Sequence, residues 1–87
     1  MDRMEMILAA YDELATRPGG VVRLTDLRGH LGDIDQDELT DALVEMDRER
    51  QIQLEPDPDR AGLTVEDREA AINLGGQQMH LMLVNTY

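Results

Sequence analysis

Apolar residues recur at helical spacing from the start of the chain. Met4, Ile7, Leu8, Tyr11, Leu14 and Ala15 form one stripe and predict an amphipathic helix. Asp2 stands at its N-cap position, and Glu5 three residues later completes a capping-box pattern. Arg17-Pro18-Gly19-Gly20 ends it, because proline disfavours helix at the preceding residue and the glycines permit a sharp turn. The β-branched run Val21-Val22-Arg23-Leu24 predicts a brief strand. Thr25 then reads as the N-cap of a second helix from Asp26 to Leu31, with Leu27 and Leu31 facing the core and Gly32 as its stop. A third helix begins after Asp35, with Glu38 at the box position and Ile34 as a staple. Leu39, Ala42, Leu43 and Met46 form its apolar stripe, and it fades near Arg50.

The period changes after the third helix. Gln51-Ile52-Gln53-Leu54-Glu55 alternates like a strand, and Pro56-Asp57-Pro58-Asp59 breaks it. Leu63 to Asp67 opens a helical turn, with Thr64 and Asp67 in capping-box register. Gly75-Gly76 marks a turn, without the spacing or the lysine of a phosphate loop. Met79 to Val84 predicts a last strand, apolar except for His80. Alternation puts Met79, Leu81 and Leu83 on one face and His80, Met82 and Val84 on the other. Both faces are largely apolar, whereas a strand at the edge of a monomer is normally wet on one side. Met82 and Val84 therefore need a cover. The residues between the strands supply one (Leu63, Val65, Ile72, Leu74), and a second subunit is the alternative. A plain three-helix bundle with a disordered tail is the competing fold; the apolarity of residues 79–84 argues against it.

Helix, short strand, helix, helix, strand, insertion, strand is an order that resembles the winged-helix superfamily. The resemblance covers nearly the whole chain. It rests on the tight second-to-third helix step, Leu27-Arg28-Gly29-His30-Leu31-Gly32-Asp33-Ile34-Asp35, and on the two strands after the third helix. It is a likeness of pattern and order, without a unique signature. It implies an α+β fold: a three-helix winged helix-turn-helix domain with a β-hairpin wing, spanning residues 1–87 as a single domain. It also implies that Asp35 to Arg50 is the recognition helix and that residues 55–78 are the wing tip. The wing is longer than the superfamily pattern and contains a helical turn. Such domains commonly bind DNA with the third helix in the major groove.

Composition narrows the chemistry. The chain has 87 residues, no cysteine and a net charge of −11. One thin aliphatic core must hold it, unsupported by disulfides. All eight basic residues are arginine, there is no Phe or Trp, and six methionines give the interior an adaptable character. Such an acidic surface repels nucleic acid and anionic membranes at long range. No run has the length of a membrane-spanning helix. Met1-Asp2-Arg3-Met4-Glu5 lacks the basic and apolar regions of a signal peptide, which predicts a cytoplasmic protein. With neither Ser nor Cys, the common nucleophiles are missing. His30 and His80 do not make a zinc site: His30 is expected in an exposed turn and His80 to be hydrogen-bonded within a strand. Asp33-x-Asp35-x-Asp37 has the spacing that opens an EF-hand. Glu38 stands where that loop needs glycine and Val44 where it needs a bidentate glutamate. The expectation is a non-enzymatic protein with no metal and no cofactor.

The third helix carries the sharpest functional signal. With its stripe turned inward at about 100° per residue, the outward face holds Asp37, Asp41, Val44, Glu45 and Arg48, with Thr40 at its margin. Three carboxylates there oppose phosphates and acceptor-rich base edges. Asp37, Asp41 and Glu45 also stack at i, i+4 and i+8, which mildly destabilises the helix and points to a basic partner that relieves it. Val44, apolar among them, favours a protein contact. The expected partner is a protein, with a basic one fitting best. Solvated surface charge is the plain alternative. DNA binding is the second functional reading; it draws on Arg17, Arg23, Arg28, His30 and Arg60 as phosphate contacts, and a dimer would add two weak half-sites. A third reading is an acidic DNA mimic or anti-repressor that occupies a basic protein. Met82 and Val84 are the expected subunit contacts if the chain is a homodimer.

Overall fold

A computed structural model describes residues 2–17 and 19–85. Pro18, part of the predicted stop after the first helix, lies outside them. The described residues form an α+β fold, with four α-helices and antiparallel sheets. In order these are α1 (Arg3–Leu14), β1 (Val22–Arg23), α2 (Leu24–His30), α3 (Gln36–Arg48), β2 (Ile52–Glu55), a 3₁₀ turn (Arg60–Gly62), α4 (Val65–Ala70), β3 (Ile72–Leu74), β4 (Gln77–Met79) and β5 (Leu81–Val84).

The caps of α1 and α3 are those the sequence predicts. The Asp2 carboxylate accepts the Glu5 amide at 2.8 Å, and the Asp35 carboxylate accepts the Asp37 and Glu38 amides at 2.9 and 3.1 Å. The Glu38 side chain does not return to its cap. It crosses to Arg3 at 3.0 Å and ties α3 to α1. The helix α3 stops at Arg48, two residues before the expected fade. Its end is a Schellman turn: Arg50 takes φ +63°, its amide bonds the Asp47 carbonyl, and the Gln51 amide bonds the Met46 carbonyl.

The prediction for α2 needs correcting. It begins at Leu24, not Asp26, and follows β1 directly; Arg23 holds the cap position without a side-chain cap. Thr25 is therefore inside the helix, and its hydroxyl donates instead to Asp67 at 2.8 Å. The helix closes at Leu31, so Gly32 belongs to the turn that follows it rather than acting as the stop.

β5 is the central strand of a three-stranded sheet ordered β1-β5-β2, antiparallel on both sides. Val22 and Leu54 flank Met82 in the register, and Ile52 pairs with Val84. That face lies on the helices in one core with Ile7, Leu24, Leu27, Leu39, Leu43 and Met46. Each such side chain, fully buried, contributes roughly 1.5–3 kcal/mol.

The predicted last strand is in fact two. Met79 ends β4, which pairs with β3 in a separate hairpin, and β5 starts at Leu81. Gly75 and Gly76, at φ +59° and +84°, form the two-residue turn of that hairpin. His80 sits at the break. Its backbone still bonds both neighbours, Leu24 at 3.0 Å and Glu55 at 2.9 Å, so the sheet continues past it. The segment between β2 and β5 thus holds a 3₁₀ turn, a helix and a second hairpin, where the sequence predicts a helical turn and a turn at Gly75-Gly76.

Met82 is 0% exposed, which rules it out as a subunit contact. Val84 is half-buried and packs against the same core. Of the inserted segment, α4 packs on α2, Ala70 and Ile72 join the same core as Met82, and Val65 stays 64% exposed. The face assignment along β5 holds, but the apolar side that includes Met82 is the side turned to the helices. Among the described residues, no helix is long and apolar enough to cross a membrane.

Candidate functional site

The outer face of α3 presents Asp37, Asp41, Glu45 and Arg48, all exposed. Glu45 pairs with Arg48 at 3.1 Å. Among the described residues, Asp37 and Asp41 form no ion pair. The other two residues expected there are committed inward. Val44 is half-buried and packs against the core. The Thr40 hydroxyl donates to the Gln36 carbonyl at 3.0 Å and accepts from Arg28 at 2.6 Å. The available face is narrower and more purely acidic than the sequence suggests.

The positive side chains that DNA binding would draw on are mostly spoken for. Arg28 donates from Nε to the Ala70 carbonyl at 2.9 Å, and from its two Nη atoms to Gln36 and Thr40. It joins α2 to α3 and to the end of α4. Burial pushes its pKa down, Asp37 opposes this, and the guanidinium stays charged as arginines do. Arg23 reaches Asp57 at 3.2 Å and Asp67 at 3.5 Å. His30 pairs with Glu13 at 2.6 Å. Arg17 and Arg60 remain exposed. They come from the turn after α1 and from the 3₁₀ turn, and among the described residues they pair with no carboxylate.

A buried polar cluster under the inserted segment escapes sequence reasoning. Asp57, Asp67 and His80 are 7%, 8% and 5% exposed. Asp67 completes the Thr64 capping box: its carboxylate accepts the Thr64 amide and the Thr64 hydroxyl accepts the Asp67 amide. The same carboxylate takes the Thr25 hydroxyl and Arg23. Its pKa is lowered, first by the Thr64 amide, then by the Thr25 hydroxyl, against the opposing effect of burial. The immediate partners shield it from water although it lies in the outer shell of the molecule, where few atoms surround it. His80 Nδ1 accepts the Asp57 amide at 3.1 Å, which places the proton of a neutral ring on Nε2. Among the described residues, every buried side-chain nitrogen and oxygen has a partner. The cluster is a closed fastening rather than an open site. The capping-box spacing of Thr64 and Asp67 was its one visible signal; the partners in α2 and β1 lie more than forty residues away.

Among the described residues, no three His, Asp or Glu side chains converge as metal ligands. Asp35, central to the EF-hand-like spacing, is occupied as the α3 cap. Comparison with family models, curated proteins and solved structures returned no match to this chain.

Proposed function

We propose that this chain is a winged-helix domain that binds a protein partner, and that the contact is the acidic outer face of α3. The strand order β1-β5-β2 behind three helices supports the fold assignment. In this reading β2 and β5 are the wing strands, and residues 56–80 are an elaborated wing folded back onto α2.

One observation carries the functional reading. Among the described residues, Asp37 and Asp41 stand exposed and without ion pairs on the helix that would enter a groove, while Arg23, Arg28 and His30 are held by partners within the molecule. A surface of that sign steers a basic protein and opposes a phosphate backbone. No catalytic step is proposed: the chain lacks Ser and Cys, and the buried carboxylates and histidine are consumed in hydrogen bonds. The DNA-binding alternative retains Arg17 and Arg60, which is a sparse footprint.

The test is capture from nuclease-treated extract of the source cells with the immobilised domain, beside a variant in which Asp37, Asp41 and Glu45 are alanine. The expected result is a partner retained by the native domain and lost with the folded variant. Equal capture by both overturns the reading. So does a saturable, sequence-dependent gel shift with genomic fragments, which would restore the DNA alternative.

A further inference from the structure

Two depressions meet where α1 passes the turn between α2 and α3. One, of about 720 Å³, lies beside Asp2, Arg3 and Met4, and the other, of about 240 Å³, lies between Ala9, Glu13 and His30. Met6, Asp33 and Ile34 line both, which makes them one continuous furrow. Its floor is apolar and its wall on α1 is partly methionine: Met4, Met6, Ala9, Leu31 and Ile34. Its rim is acidic, with Asp2, Glu13, Asp33, Asp35 and Glu38. Among the described residues its one arginine, Arg3, is already held by Glu38 at 3.0 Å, and the His30 ring meets Glu13 at 2.6 Å.

We propose that this furrow docks a short basic amphipathic helix from a partner protein. Charge complementarity chooses the occupant. Five carboxylates against one paired arginine repel a second copy of this chain, which carries −11 itself, and attract lysine and arginine. An apolar floor between acidic walls matches a helix that is apolar on one face and basic on its flanks. Half-buried Met4 and Met6 supply flexible, polarisable side chains that repack around different apolar anchors. The Arg3–Glu38 pair and the His30–Glu13 contact are exposed and cheap to open, so Glu38 and Glu13 can exchange Arg3 and His30 for cations of the incoming helix. The 12-residue α1 is about 18 Å long, which suits an occupant of about three turns. The furrow uses only the start of α3 and is separate from the Asp37–Asp41–Glu45 face.

A labelled peptide of about 14 residues, with leucine at i, i+3, i+4 and i+7 and lysine elsewhere, is the probe. A shuffled peptide of the same composition, with its leucines spread around the helix, is the control. Binding is read by fluorescence anisotropy, and by the methyl resonances of ¹³C-methionine protein. The striped peptide should bind more tightly than the shuffled one. Met4 and Met6 should shift while Met46 and Met82 stay still. Ala9→Arg with Asp33→Lys should weaken binding by about tenfold or more. Alanine at Asp37, Asp41 and Glu45 should leave it unchanged, which separates this site from the one proposed above. Equal binding of the shuffled peptide, binding with Met4 and Met6 unmoved, no binding, or loss on the α3 triple variant overturns the proposal. If the furrow variant does not fold, the methionine shifts on the native protein decide.

Discussion

Arg28 reaches three residues from a single position. Its guanidinium reaches the Ala70 carbonyl, Gln36 and Thr40, and so links three helices. Arg28→Ala leaves the half-buried ends of those bonds without a donor and should cost about 2 kcal/mol, read as a lower urea midpoint. Arg28→Lys should recover only part of this, because one ammonium cannot match the planar fork. Arg50 makes the opposite case. It holds φ +63° at the end of α3, where glycine pays no steric penalty, so Arg50→Gly should stabilise the domain by up to about 1 kcal/mol. Asp67 sets a pH dependence. Its native pKa lies below the unfolded value, so its stabilising effect is complete above about pH 4 and disappears as pH falls through the native value. Melting temperature should therefore fall between pH 5 and pH 2 by more in the native protein than in Asp67→Asn. Parallel curves would remove Asp67 from the fastening. Of these three, only the Thr64 cap of Asp67 is visible in the sequence: Arg28 reads there as a phosphate contact, because its partners lie on helices that only folding brings together.

Among the elements, legibility follows the range of the forces. The caps of α1, α3 and α4 were readable because they are set within three or four residues, as Asp2, Asp35 and Thr64 show. Thr25 misled because a threonine before an apolar turn looks like a cap, yet Leu24 is drawn into the core and the helix starts two residues earlier. The β3–β4 hairpin was missed for a related reason. Its strands, Ile72–Leu74 and Gln77–Met79, are three residues each, too short to show a period, and only the Gly75-Gly76 turn announced them. His80 hid the end of one strand and the start of another inside a continuous apolar run. The candidate acidic face was legible in Asp37, Asp41 and Glu45, whereas the inward turn of Thr40 and Val44 was not. Helix α4 has six residues and holds its place through its cap and its contacts with α2. Thr64→Ala should cost about 1 kcal/mol and speed amide exchange in residues 65–79 before it affects α1 or α3.

At the scale of the molecule, two acidic surfaces and inward-turned arginines set the character of the protein. The net charge of −11 costs stability through self-repulsion and shows it locally on α3, where Asp41 lies between Asp37 and Glu45. This makes one substitution diagnostic, because stability and binding should move in opposite directions. Asp41→Lys relieves the repulsion and should raise the melting point slightly, while it reverses the charge at the centre of the proposed contact. The decisive measurement is the affinity of the captured partner for the native domain and for Asp41→Lys, by titration calorimetry at two salt concentrations. The account predicts that the variant binds about tenfold or more weakly, with a smaller dependence on salt, although it is at least as stable. An unchanged affinity in that stable variant would contradict it.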